Sequence, residues 1–135
     1  MNKIIKYFVA LLLCISVFTM GNSYAEAASW KLVDSKKVSS RVGPNGIKLY
    51  GVKTGKARIC LKDQFGGLRV DVYDNDGKGV QQSKLILNAV FIGNNKCVNF
   101  NAKPYIDGSN KSAEFIVLPT REPLTSYTLQ LWHYK

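Results

Sequence analysis

Histidine and cysteine are scarce in this chain, and their scarcity closes off most metal and acid–base chemistry. The one imidazole, His133, stands two residues from the last position, and the three cysteines are Cys14, Cys60 and Cys97. Such a set cannot complete a tetrahedral zinc site without carboxylates. No Gly-x-Ser-x-Gly elbow, no pair of metal-binding histidines and no phosphate-cradling glycine loop occurs. Acidic residues are also few, with nine Asp and Glu against nineteen Lys and Arg, a formal charge of +10. After residue 27 no apolar period of 3.6 is sustained, which argues against a helical fold. No internal repeat, linker or low-complexity tract divides the chain. No cofactor and no metal are expected.

What is present begins with a leader. Lys3 and Lys6 give a positive start, residues 8–18 are almost unbrokenly apolar, and residues 23–28 offer small side chains where a signal peptidase cuts. That order is the order of a secretory signal peptide. The apolar run falls short of the roughly 20 residues of a membrane-spanning helix. No basic cluster follows it, so no stable transmembrane anchor is expected. Cys14 does not fit a lipid-attachment site, because Leu13 precedes it where a small residue belongs and the apolar run continues beyond. The expected division is a signal peptide at 1–27, cut after Ala27, and a secreted domain at 28–135, extracellular or wall-associated. Loss of Lys3, Lys6 and Glu26 leaves a charge of about +9 on that domain, which favours long-range attraction to polyanions.

Removal of Cys14 leaves Cys60 and Cys97, for which one intramolecular pairing exists. The bridge would close a loop of about 37 residues, worth roughly 4 kcal/mol on the chain-entropy model. A domain of this size holds only about 5–15 kcal/mol in total, so the bridge bears directly on whether it stays folded.

Short runs of β-branched, aromatic and Leu residues recur at 30–33, 47–52, 57–62, 68–73, 84–92, 97–100, 113–118 and 127–134. Turn-forming Gly, Asn, Asp and Pro separate them. The pattern predicts an all-β fold, a single-domain β-sandwich of about eight mostly antiparallel strands. Alternation turns Leu68, Val70, Val72, Ile59, Leu61, Val98 and Phe100 inward, so Cys60 and Cys97 share the outward parity. Residues 85–92 lack clean alternation and read as a central strand covered on both faces, with 113–118 similar. Residues 35–41, polar and basic, read as a loop.

Three groups carry candidate chemistry. In the last strand Leu129, Leu131 and His133 share one parity, while Thr128, Gln130, Trp132 and Tyr134 share the other. Aromatic faces beside amide and hydroxyl groups suit a sugar, whose C–H face packs on rings, so Trp132 and Tyr134 are the candidate ligand-binding residues. His133 is the weak catalytic candidate, as an acid or base beside Glu114 or Glu122 with Arg58, Arg69 or Arg121 holding a phosphate. The loop 74–77 lacks the first ligand of an EF-hand; it reads as a polar hairpin turn, with a calcium site of another kind built from Asp71, Asp74 and Asp76 as the alternative.

The expected function leans away from catalysis. It is a secreted basic protein that binds an anionic polymer or carbohydrate of a cell surface. The alternatives are a small ribonuclease-like hydrolase using His133, and an antimicrobial or toxin acting on anionic membranes. Nucleic acid stays open as a partner, although the basic residues form no dense cluster in sequence. The oligomeric state is not legible.

Overall fold

In a computed structural model, which describes residues 28–39, 41–77 and 79–135, the chain is all β. The leader expected at 1–27 lies outside the described residues. Eight strands follow one another: β1 Trp30–Val38, β2 Ile47–Val52, β3 Lys56–Lys62, β4 Leu68–Asp74, β5 Leu85–Ile92, β6 Cys97–Asn101, β7 Ala113–Pro119 and β8 Tyr127–Tyr134. They form two four-stranded sheets, ordered β1-β8-β3-β6 and β2-β7-β4-β5, and every pairing is antiparallel.

Period-two alternation explains which residues are buried. Along β8, Tyr127, Leu129, Leu131 and His133 are buried, and the residues between them are half-exposed. On β3, Ala57, Ile59 and Leu61 face the same way. They join Leu49 and Val52 of β2, Val70 and Val72 of β4, and Phe115 and Val117 of β7 in one cluster fed by both sheets. The aromatic part of that cluster is set edge to face, with the rings of Phe100 and Phe115 centred 5.0 Å apart.

Cys60 and Cys97 are bonded, and they stand directly opposite each other in the β3–β6 register with Cα atoms 4.0 Å apart. Their parity is that of Gln130 on β8, the face away from the core. The bridge therefore staples an edge strand, β6, to an interior one.

Two expectations fail, each for a local reason. Residues 35–38 are strand, not loop, because β1 is an edge strand whose polar side chains still pair residue by residue with β8. Asp34 accounts for much of the placement: its Oδ2 accepts the backbone N–H of Tyr50 on β2 at 3.0 Å, tying the two sheets where their edges meet. Residues 85–92 form an edge strand, not a central one. Their missing alternation comes from two register shifts against β4, flanking Val72. Ala89 takes a left-handed φ of 48° at the first. There Asp71 Oδ1 accepts the Ala89 N–H and Arg69 donates to the Ala89 carbonyl at 2.7 Å, so side chains of β4 hold the bulge. The other irregular segment, β7, does lie inside its sheet, between β2 and β4.

Opening the disulfide should destabilise the domain by about 2–4 kcal/mol. Urea midpoints of the wild type and the Cys60→Ser/Cys97→Ser variant test this; equal midpoints would contradict it. A second outcome concerns Tyr127, whose buried hydroxyl has no hydrogen-bond partner among the described residues. Tyr127→Phe removes that unpaired group while keeping the ring, and should leave the melting temperature unchanged or raised. A clear fall on calorimetry would mean that the hydroxyl is in fact paired.

Candidate functional site

The register of the first sheet sorts its outer face into rows across the strands. One row holds Leu32, Trp132, Arg58 and Asn99; the next towards the core centre holds Ser35, Gln130 and the Cys60–Cys97 bridge. On the other side of the first row, Trp30 pairs with Tyr134 and Lys56 with Asn101. Strand alternation alone would not place Trp30 there. Counting back from the buried Val38 by twos turns Trp30 inward, but an irregularity between Leu32 and Asp34 inserts one residue and reverses the faces upstream.

The outcome is an aromatic and cationic surface. The Arg58 guanidinium lies 4.4 Å from the centre of the Trp30 ring and 5.1 Å from that of Trp132. Lys56 Nζ stands 5.3 Å from the Tyr134 ring centre, and Trp30 meets Tyr134 edge to face at 5.4 Å. Each cation is attracted to the negative faces of the rings, and Arg58 gains most because indole is the strongest partner. The stacking also removes polar atoms from solvent. Arg58 Nε, Trp132 Nε1 and Gln130 Oε1 are buried, on adjoining strands, without a hydrogen-bond partner among the described residues. Beside the cluster, Trp30, Gly55, Lys56, Ala57, Asn99, Phe100 and Asn101 line a shallow depression of about 620 Å³.

Trp132 and Tyr134 thus lie on one face with Thr128 and Gln130, at the parity their strand spacing implies. Sequence reasoning passed over Trp30 and Lys56, and named Arg58 only as a phosphate holder beside His133. The parity of Arg58 with Cys60 was a usable signal, but the pairing of β3 with β8 that brings it to Trp132 was not.

His133 is on the other side of its strand, facing the core. Its Nδ1 accepts the Lys53 backbone N–H at 3.3 Å. Burial first, then the nearby Lys135 and Lys53 charges, hold its pKa below the ordinary value, so the ring is neutral. The residues suggested as its partners lie elsewhere: Glu114 contacts Asn75, Glu122 sits in the β7–β8 connection, and Arg58 is stacked on the outer face. The arrangement leaves His133 a structural acceptor.

A second concavity, of about 640 Å³, is lined by Asp74, Asn75, Asp76, Asp107 and Glu114 among others. Carboxylate oxygens of Asp74, Asp76 and Asp107 fall within 4.8 Å of one another, close enough to share a cation. Asp71 is not in the group, since its carboxylate serves the bulge at Ala89. Sequence spacing led to Asp71 and missed Asp107, which the β6–β7 loop brings from 31 positions further on. Burial and the Asp76 and Asp107 charges push the Asp74 pKa up to about 6.

A family model described as the YndA coiled coil domain matches residues 20–131. The chain belongs to this family. Its label does not describe the described residues, whose helical segments are two single 3-10 turns, Val80–Gln82 and Lys103–Tyr105. A coiled coil needs apolar residues at a 3.5 period, and the period here is two. No helix among the described residues is long and apolar enough to cross a membrane. No curated protein and no solved structure matches the chain.

Asp74 and His133 act on stability in opposite directions. Asp74 is harder to ionise in the folded chain than in the unfolded one. The native state therefore binds more protons between about pH 4 and 6, and stability falls as pH rises through that window. His133, with its lowered pKa, contributes stability at neutral pH that is lost as pH falls below its ordinary value of 6.5. Asp74→Asn should accordingly melt higher than the wild type at pH 7 and level with it near pH 4. A difference that does not change with pH would show that the carboxylates do not repel one another.

Proposed function

We propose that this chain is an exported, basic, non-catalytic binding protein of an anionic or carbohydrate-rich cell envelope. In this reading residues 1–27 are a leader removed on export, and the two sheets pack as a β-sandwich. The outer face of β1-β8-β3-β6 is then the contact surface. The observation that carries the proposal is the gathering of Trp30, Trp132, Tyr134, Lys56 and Arg58 on that one face.

The chemistry of the face suits an acidic glycan. Ring faces pack against the C–H surfaces of a pyranose, while Asn99 and Asn101 at the rim of the depression offer amide donors and acceptors. Lys56 and Arg58 supply positive charge for phosphate or carboxylate groups, with Arg able to engage two oxygens at once. The net charge of the chain adds long-range attraction. Catalysis is not part of the reading, because the one imidazole faces the core.

An immobilised anionic wall glycopolymer tests the proposal. Retention should fall steeply between 50 and 500 mM salt, on the order of what screening of exposed charges requires. At fixed low salt, Trp132→Ala should weaken binding by about tenfold, the scale of losing an aromatic anchor, and Lys56→Gln should flatten the salt dependence. Salt-insensitive retention, or a Trp132→Ala variant that binds as the wild type does, would sink the proposal.

A further inference from the structure

At the end of the molecule away from Trp30 and Tyr134, three connections crowd together: residues 63–67 between β3 and β4, 93–96 between β5 and β6, and 120–126 between β7 and β8. Gln64 joins all three. Its backbone N–H donates to Asn94 Oδ1 at 3.2 Å, its Oε1 accepts the Thr125 hydroxyl at 3.2 Å, and its Nε2 donates to the Phe65 carbonyl at 3.3 Å. Gln64 itself is buried, as few glutamines are. Two further bonds brace the connections against their strands: Asn95 N–H to the Leu61 carbonyl, and Thr120 N–H to the Arg69 carbonyl, each 2.9 Å. At Gly67, with φ of 78°, a Cβ would stand 2.7 Å from the Ile92 carbonyl oxygen, so the turn closes against β5 only with glycine there.

On this braced backbone Phe65 and Leu124 are each 96% exposed. They flank the hydrogen-bonded pair Gln64–Thr125, one position away on either loop. Phe91, 55% exposed, lies against Gly67 beside them. One exposed apolar side chain is ordinary. Two large ones at almost full exposure, on loops tied to each other, leave a concentrated apolar area in water.

The connections at this end are also net basic. Lys62, Lys96 and Arg121 lie on or beside these connections, with Arg69 next to them bonded to the Ala89 carbonyl, against Asp63 and Glu122. The carboxylates Asp74, Asp76, Asp107 and Glu114 are collected at the far end, where β4 finishes and β7 begins. The tips therefore stand in a positive surround.

We propose that this loop end docks on an anionic lipid bilayer, with Phe65 and Leu124 entering the interfacial layer and the surrounding Lys and Arg facing headgroup phosphates. It is a different surface from the aromatic face and does not depend on glycan binding there. Projecting tips suit a fluid interface that closes around each of them; a stable protein partner needs a contiguous patch of about 800 Å² a side. Apolar insertion combined with attraction to anionic headgroups is how peripheral proteins hold to membranes.

Sedimentation of the full chain with vesicles of phosphatidylglycerol and phosphatidylcholine, against phosphatidylcholine alone, tests the docking. Wild type should partition to the anionic vesicles, and Phe65→Ser/Leu124→Ser should do so at least about tenfold more weakly. All chains carry the same residues 1–27, so the difference belongs to the tips. Because both side chains are in solvent, thermal melting of the variant should match the wild type. In a separate variant, Phe65→Trp, added emission quenched by brominated acyl chains would place the tip in the bilayer. Unchanged partitioning of the double variant, or an unquenched Phe65→Trp, overturns the proposal. So does a wild type that is dimeric without lipid while the double variant is monomeric, since the tips would then be a surface for a second copy.

Discussion

The structure depends on a strict division of faces along the two interior strands of the first sheet, β3 and β8. Ile59, Leu61, Leu129 and Leu131 are fully buried on one side, and that burial is what fixes the register. A slip of β8 by one residue would send Leu129 and Leu131 into water and bring Gln130 and Trp132 into the core. At about 1.5–3 kcal/mol for each large apolar side chain, such a slip would consume a large part of the roughly 5–15 kcal/mol a small domain has. The outer face follows as a consequence. Whatever stands between the core residues must appear together on the other side, which is why Arg58 meets Trp132 and Cys60 meets Cys97.

The same constraint sets the character of the outer face. An exposed sheet face of alternating polar residues would leave its long cations free. Here two indoles hold one guanidinium, and the stack shields three polar atoms that find no partner among the described residues. An unpaired buried donor costs on the order of 1–3 kcal/mol. Part of the cation–π attraction is thus consumed in holding those atoms out of water. A surface organised for stability alone would place a threonine or a valine at such positions, so the face carries a cost that the fold does not require.

How much of this was legible in the sequence depended on whether an element kept simple alternation. β8 reads directly as a strand with Leu129 and Leu131 inward and Trp132 and Tyr134 outward, because every position obeys the period of two. The Cys60–Cys97 pairing was legible for the same reason, since two regular strands put both thiols on one parity. Regularity failed at β1, where the extra residue near Val33 moved Trp30 to the outer face, and at β5, where the bulge at Ala89 imitated the pattern of a buried strand. At each irregularity a carboxylate accepts a backbone N–H from another strand, Asp34 from Tyr50 of β2 and Asp71 from Ala89 of β5. Sequence shows the carboxylates but not the amides they reach. Asp107 in the acidic pocket, and the contact of Gln64 with Thr125, were hidden for a related reason: each joins loops far apart in the chain.

Charge placement links the two ends of the molecule. Local sequence gave little reason to expect it, because Lys and Arg are spread over nearly every element. It is the few carboxylates that are gathered, four of them around one concavity at the end where β4 stops. Nineteen basic side chains against nine acidic ones would in any arrangement draw the chain towards a polyanion. Those four acids share their end with Lys56, Lys84, Lys103 and Lys111, so the bases there offset them and the grouping is local to the concavity. Over a Debye length of about 8 Å at physiological salt, only the nearer end senses a charged surface strongly. Any orientation in an approach is set by which side chains stand at the nearer end, a feature that composition alone cannot reveal.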